Sequence, residues 1–183
     1  MTERHKVFVS YHNTNDKADR ERFERLFADI YDIIVPKSVQ IGDIDSNLPA
    51  ERIIQIIRDE YLRDTTVTVV LVGVETWKRK HVDWEIGASI RHTQYSPRSG
   101  LLGILLPSYH NYYSIKSGKY NPCTIPPRLN DNLKCRYGKM YEWSNDPHEV
   151  QKWINEAFKM RNQKNPDNSY PSYKNNRSGE RWC

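Results

Sequence analysis

Val67-Thr68-Val69-Val70-Leu71-Val72-Gly73 is a β-branched, aliphatic run in which no polar residue alternates with the apolar ones. A strand with one wet face alternates, so a continuous run predicts a strand covered on both faces, the habit of parallel sheets. Helices must then flank it on either side. Downstream, Val82, Ile86 and Ile90 fall on one narrow stripe at about 100° per residue, which predicts a helix through Val82-Asp83-Trp84-Glu85-Ile86-Gly87. Gly100-Leu101-Leu102-Gly103-Ile104-Leu105-Leu106 repeats the strand pattern and stops at Pro107.

Upstream, Lys6 to Tyr11 reads as a first strand feeding the polar loop His12-Asn13-Thr14-Asn15-Asp16. Asp16 is placed to cap a helix carrying Phe23, Leu26, Phe27 and Ile30 at helical spacing. Tyr31 to Val35 makes a weak second strand stopped by Pro36, and Pro49 suits the first turn of a helix with Ile53, Ile54, Ile57 and Tyr61 on its core face. From Ser108 to Asn132 no periodicity stands out among Pro122, Pro126 and Pro127, which predicts a long ordered loop or lid. Lys139 to Trp143 reads as a last strand, and Pro147 opens a helix with Val150, Ile154, Ala157 and Phe158 inward. Strands alternating with helices give an α/β fold, three-layered, with a five-stranded parallel sheet and the site at the strand C-termini.

At 183 residues and 37% hydrophobic, the chain supports one core. The expected division is a domain over 1–160 and a polar tail over 161–183, mobile unless Tyr170, Tyr173 and Trp182 dock it. No stretch reaches membrane-span length, and Met1 to Lys6 runs into a strand without a signal-peptide apolar region, so a cytoplasmic protein is expected. Cys123, Cys135 and Cys183 are odd in number and widely spaced; they form neither a disulfide framework nor a metal-ligand pattern and are expected as reduced thiols. The net charge of +5 would suit an anionic partner, but acids interleave the basic residues, and Lys78-Arg79-Lys80 reads as a solvated face without aromatic platforms. Nucleic acid is therefore an unfavoured partner.

The chemistry points to Glu85. It lies roughly 60° from Val82 on the helix, at the edge of the apolar stripe, and is expected half-buried beside a strand end. Asp83 points away from the stripe and is expected to be the solvated acid; Trp84 lies nearly opposite it and must meet a loop, a ligand or another chain. No Gly-rich phosphate fingerprint follows the first strand, and Ser10-Tyr11-His12 and Gly73-Val74 stand where a receiver domain needs acids. Ser10 and His12 share a strand face, but no third group orients a base, so loop hydrogen bonding outweighs a nucleophilic dyad. One buried carboxylate fits glycosidic cleavage through an oxocarbenium-like transition state, especially when the leaving group is already cationic, as nicotinamide is in NAD.

Taken in order, Val7-Phe8-Val9-Ser10-Tyr11-His12, the Gly42 to Pro49 loop, and Thr76-Trp77 through Trp84-Glu85-Ile86 resemble successive motifs of a TIR domain. With Ile57 through Gly73 added, the chain resembles bacterial TIR-like proteins of flavodoxin-like fold, including the sensor subunit of the Thoeris antiphage system, over about residues 5–160. The resemblance implies an enzyme that cleaves the nicotinamide–ribose bond of NAD, its substrate with no further cofactor. The ADP-ribose-derived product, cyclic in many relatives, would activate a separate effector. Glu85 matches the catalytic glutamate, while Ser10, Tyr11, His12, Asp43, Asp45 and Asn47 match substrate-bordering positions; His81 stands where the family pattern has a Trp. A homo-oligomer and a phage-derived trigger are further expected partners. The alternative is a noncatalytic TIR-type adaptor acting through protein–protein assembly.

Overall fold

The computed structural model describes residues 4–39, 44–45 and 47–183. Five strands, β1 (His5–Ser10), β2 (Ile34–Lys37), β3 (Val67–Val72), β4 (Gly100–Leu105) and β5 (Gly138–Glu142), form one sheet in the order β2-β1-β3-β4-β5. Every neighbouring pair is parallel. The α/β expectation therefore holds, with the flavodoxin-like order. In that order the chain reverses direction across the sheet between β1 and β3, and the crevice beyond their C-terminal ends is where such folds take ligands.

The opening stretch explains the layers. Side chains alternate along a strand, so Val67, Val69 and Leu71 point to one face and Val70 and Val72 to the other, all buried. On the first face lie α1 (Lys17–Glu24, continued by a π-helical turn over Arg25–Ile30) and α6 (Pro147–Gln163), contributing Phe23, Phe27 and Ile154. The second face carries α2 (Ala50–Ile56, continued by a π-helical turn over Ile57–Tyr61), α3 (Lys80–Ser89), α4 (Pro107–Tyr113) and α5 (Pro127–Lys134). Gly100 permits the tightest contact between layers: a Cβ there would sit 2.1 Å from the backbone oxygen of Ala157 on α6.

Four expectations are corrected. Pro36 does not stop β2 but lies within it, paired with Val7, because β2 is an edge strand and loses no inner ladder bond. The Ser108 to Asn132 region is not a lid: α4, a 3-10 turn over Pro122–Thr124 and α5 build it, their prolines standing at helix starts. Asp16 occupies the N-cap position of α1, but its side chain makes no capping hydrogen bond; only its backbone oxygen accepts, from Arg20 N at 3.0 Å. Finally, Cys123 and Cys183 are joined in a disulfide, leaving Cys135 free; spacing along the chain could not foresee a pairing created by the fold. No helix among the described residues is long and apolar enough to cross a membrane.

Residues 164–183 contain no helix or strand, yet they lie along α3 and α5. Tyr173 is buried, its hydroxyl donating to Trp77 O at 2.8 Å, and Trp182 Nε1 donates to Ile125 O at 2.8 Å. The docking of Tyr173 and Trp182 is thus realised through backbone carbonyls that their polar tips can reach.

Candidate functional site

Phe8 and Ser10 point to the α2–α3 face of β1, which aims Ser10 Oγ at the helix that follows β3. It meets Glu85 there, donating to Oε2 at 2.5 Å across 75 residues of sequence. Glu85 is 7% exposed, deeper than the half-burial its helical position predicts, because β1 closes over the carboxyl from below. Burial pushes its pKa up to about 8, and the Ser10 hydroxyl opposes the shift only in part. In the empty protein at neutral pH this carboxyl is mainly protonated.

Glu85 opens onto a cavity of about 290 Å³. Tyr11, Asn13 and Thr14 line it from the exit of β1, Val39 and Ile44 from the segment after β2, and Ile53 and Ile57 from the α2 region. Arg79, Lys80, His81 and Trp84 line it from the start of α3, and Asn176 from the carboxy-terminal segment. The mix of apolar walls and a few convergent polar groups is that of a small-molecule site.

The predicted site residues separate. Ser10 and Glu85 are bonded, and Tyr11 lines the cavity. His12 is buried beside it, its Nδ1 accepting from Asn15 N at 3.1 Å; burial and then Arg79 hold its pKa below the usual value, so it serves the loop as a neutral acceptor. Asp45 and Asn47 are exposed and outside the cavity lining; Asp45 Oδ1 accepts from Asn47 N at 2.9 Å, which closes a turn. Asp43 lies outside the described residues.

Of the lining residues, only Tyr11 and Glu85 were singled out as site residues; the most consequential of the others are Arg79, Lys80, His81 and Asn176. Arg79 and Lys80 belong to the basic run read as a solvated face, yet both turn into the cavity wall. Arg79 Nε is buried without a hydrogen-bond partner among the described residues. His81, also in the wall, is held to a pKa of about 4 by burial and by Arg79, so it stays neutral. The bend that starts α3 at Lys80 is the local cause, and a charge count cannot see it. Asn176 comes from a stretch with no periodic signal at all.

A second buried acid lies at the strand ends, outside the cavity lining. Asp16 lies against Gly73, where a Cβ would come within 2.3 Å of its Oδ2, and Thr76 Oγ1 donates to that oxygen at 3.5 Å. Burial, with Asp19 nearby, raises its pKa to about 7. At the rim, Lys78 and Asn15 hold Glu75 ionised by donating to it at 2.7 and 3.1 Å, which lowers its pKa.

Asp83, expected in solvent, is buried: Arg128 of α5 donates to it at 2.9 and 3.3 Å, and Tyr173 N at 3.0 Å. Helical spacing placed it correctly away from the apolar stripe, but α5 and the carboxy-terminal segment cover that side. Trp84 meets both a loop and the cavity, donating from Nε1 to Tyr173 O at 2.8 Å.

No curated protein matches the chain. A family model described as the TIR-like domain of the Thoeris protein ThsB matches residues 8–111, more than half of the chain and a span that holds the end of β1 with Ser10, all of β3 and α3, and Glu85. With the parallel sheet of flavodoxin-like order, that match establishes that the chain belongs to the TIR-like domain family of the Thoeris antiphage protein ThsB.

Proposed function

We propose that this protein cleaves the nicotinamide–ribose bond of NAD at the Glu85 cavity and releases an ADP-ribose-derived, cyclic signal that activates a separate effector. The observation that carries the reading is a buried carboxyl with one oxygen fixed by Ser10 on the wall of a ligand-sized cavity at the β1/β3 crevice. NAD is the substrate, and no further cofactor takes part. The protein acts in the cytoplasm, in response to a phage-derived trigger and as a homo-oligomer.

The chemistry follows from charge. The nicotinamide ring of NAD is cationic, so its arrival beside Glu85 favours the carboxylate and drives off the proton that burial retains in the empty site. As the C1′–N1 bond breaks, its electron pair leaves with nicotinamide, which departs neutral, and positive charge develops on the ribose. The Glu85 carboxylate then faces that charge, stabilising the transition state in a dry site where the interaction is strong. Attack at C1′ by water gives ADP-ribose, and attack by a nucleophile of the same molecule gives a cyclic product. Ser10 keeps Oε2 occupied, leaving Oε1 for the ribose hydroxyls.

The test compares wild type with Glu85→Gln in lysates of phage-infected cells supplied with NAD, with nucleotides separated by chromatography and identified by mass. Product from wild type and none from the variant is expected. Equal product from both would remove Glu85 from the chemistry and leave the adaptor.

A further inference from the structure

The carboxy-terminal segment touches the cavity at one residue and the rest of the protein at many. Lys80 N donates to Asn176 Oδ1 at 2.9 Å, and Arg177 N donates to Lys78 O at 2.7 Å, so the segment is bonded to the turn that carries Arg79, Lys80 and His81 into the wall. With Oδ1 taken, Nδ2 is the group of Asn176 that remains for a ligand in the cavity. The segment's hold is thin beyond Tyr173, the one buried side chain among residues 164–183. Up to Tyr173 it is bonded repeatedly to Arg128, Asn132 and Asp83. Beyond Tyr173 its ties are the hydrogen bonds at Asn176, Arg177 and Trp182, each of a net worth comparable to the entropy lost in ordering one residue. What closes it is covalent: Cys183 is joined to Cys123, which precedes α5, with Trp182 N donating to Cys123 O at 3.0 Å beside the bond.

We propose that residues 164–183 form a strap latched by the Cys123–Cys183 bond, that Asn176 on it is a substrate-contacting residue, and that reduction of the latch weakens nucleotide binding at the Glu85 cavity. The substrate half rests on the functional reading above; the latch does not. Reduction by a dithiol breaks the Sγ–Sγ bond: the dithiol gives two electrons and two protons, two cysteine thiols result, and the reductant closes to its own cyclic disulfide. The freed end then peels back from Trp182 toward Arg177, and the wall at Lys80 loses its outer partner.

Hydrogen exchange and binding are measured on the full chain, with and without dithiothreitol. Thiol titration of the unreduced protein should find Cys135 alone; three free thiols overturn the latch. Reduction, or Cys183→Ser, should speed exchange in residues 174–183 and at Lys80, while β3 keeps its protection. Unchanged exchange in the strap overturns the latch, and lost protection throughout β3 overturns its locality.

NAD binding is read on Glu85→Gln, which holds substrate without turnover. Its Kd should rise about tenfold on reduction, the scale of one lost hydrogen-bonded wall group. Asn176→Asp keeps the acceptor for Lys80 N and removes the Nδ2 donor; in the otherwise wild-type protein it should raise KM by a similar factor with kcat within about threefold. An unchanged Kd and KM overturn the substrate role of the strap. No NAD binding in either redox state overturns the functional reading itself, and the exchange data then judge the latch alone.

Discussion

Asp83 and Glu85 stand two residues apart on α3, both acidic and both buried, at 2% and 7% exposure, and the protein treats them in opposite ways. Asp83 has a guanidinium on both oxygens and a backbone N–H besides, so its charge is matched where it lies. Glu85 has one hydroxyl and an open cavity. A carboxyl whose partners are complete can hold structure and do nothing else. One left with an unfilled oxygen, desolvated and without a cation bonded to it, is the group whose protonation and contacts a ligand can change.

The contrast breaks most sharply under substitution. Glu85→Gln is expected to lower NAD cleavage by about a thousandfold while keeping the Ser10 bond, because an amide still accepts from that hydroxyl; activity assays with mass-identified products decide it. Asp83→Asn should leave the chemistry within an order of magnitude, and a comparable loss there would erase the distinction between the two acids.

Stability should rank them in reverse. Arg128→Leu strands the Asp83 charge and is expected to cost about 3–5 kcal/mol in denaturant unfolding, with Asp83→Asn in the same chain recovering much of it. A cost under about 1 kcal/mol would mean the pair holds nothing.

Glu85 has a stability signature of its own. Its folded pKa of about 8 exceeds the ordinary 4.5, so the native protein binds the proton more tightly than the unfolded chain does. That contribution is full below about pH 4.5 and is lost as pH rises toward 8. Glu85→Gln escapes the loss, so its melting temperature should exceed that of wild type by roughly 5–10 °C at pH 8 and by much less at pH 5. A gap independent of pH would show that Glu85 is ionised in the native state.

The smallest effect belongs to Ser10→Ala. Without the hydroxyl the Glu85 pKa rises further, and the acidic limb of the activity profile should move up by about half to one pH unit.

How much of this was legible varied with the kind of signal. Val67 to Val72 declared a strand covered on both faces, and with the periodic helices on either side the layer architecture followed. Glu85 was found by the same route, from its angle on a helix after a buried strand. Pro36 misled because sheet position, edge or centre, is not a local property. The residues of α4 and α5 hid because their buried positions are mostly Tyr109, Arg128, Asn130 and Asn132, with Leu129 the one fully buried aliphatic among them. Asp83, Asn176 and the Cys123–Cys183 bond share one cause of invisibility: each depends on the carboxy-terminal segment lying across α3, a long-range contact that no window of sequence contains.

Asp16 and Glu85 both lie at the substrate end of the sheet, and burial lifts both into the neutral range, to about 7 and about 8. Near neutral pH Glu85 is mainly protonated and Asp16 is divided between its two forms, Glu75 stays ionised beside Lys78, and Arg79 and Lys80 line the cavity wall. On the function proposed above, the phosphates of a dinucleotide would meet Arg79 and Lys80 on the cavity wall before they met an ionised Glu85. The cationic ring would then favour the Glu85 carboxylate by its own charge, so that the acid of the site would ionise only with the ligand in place.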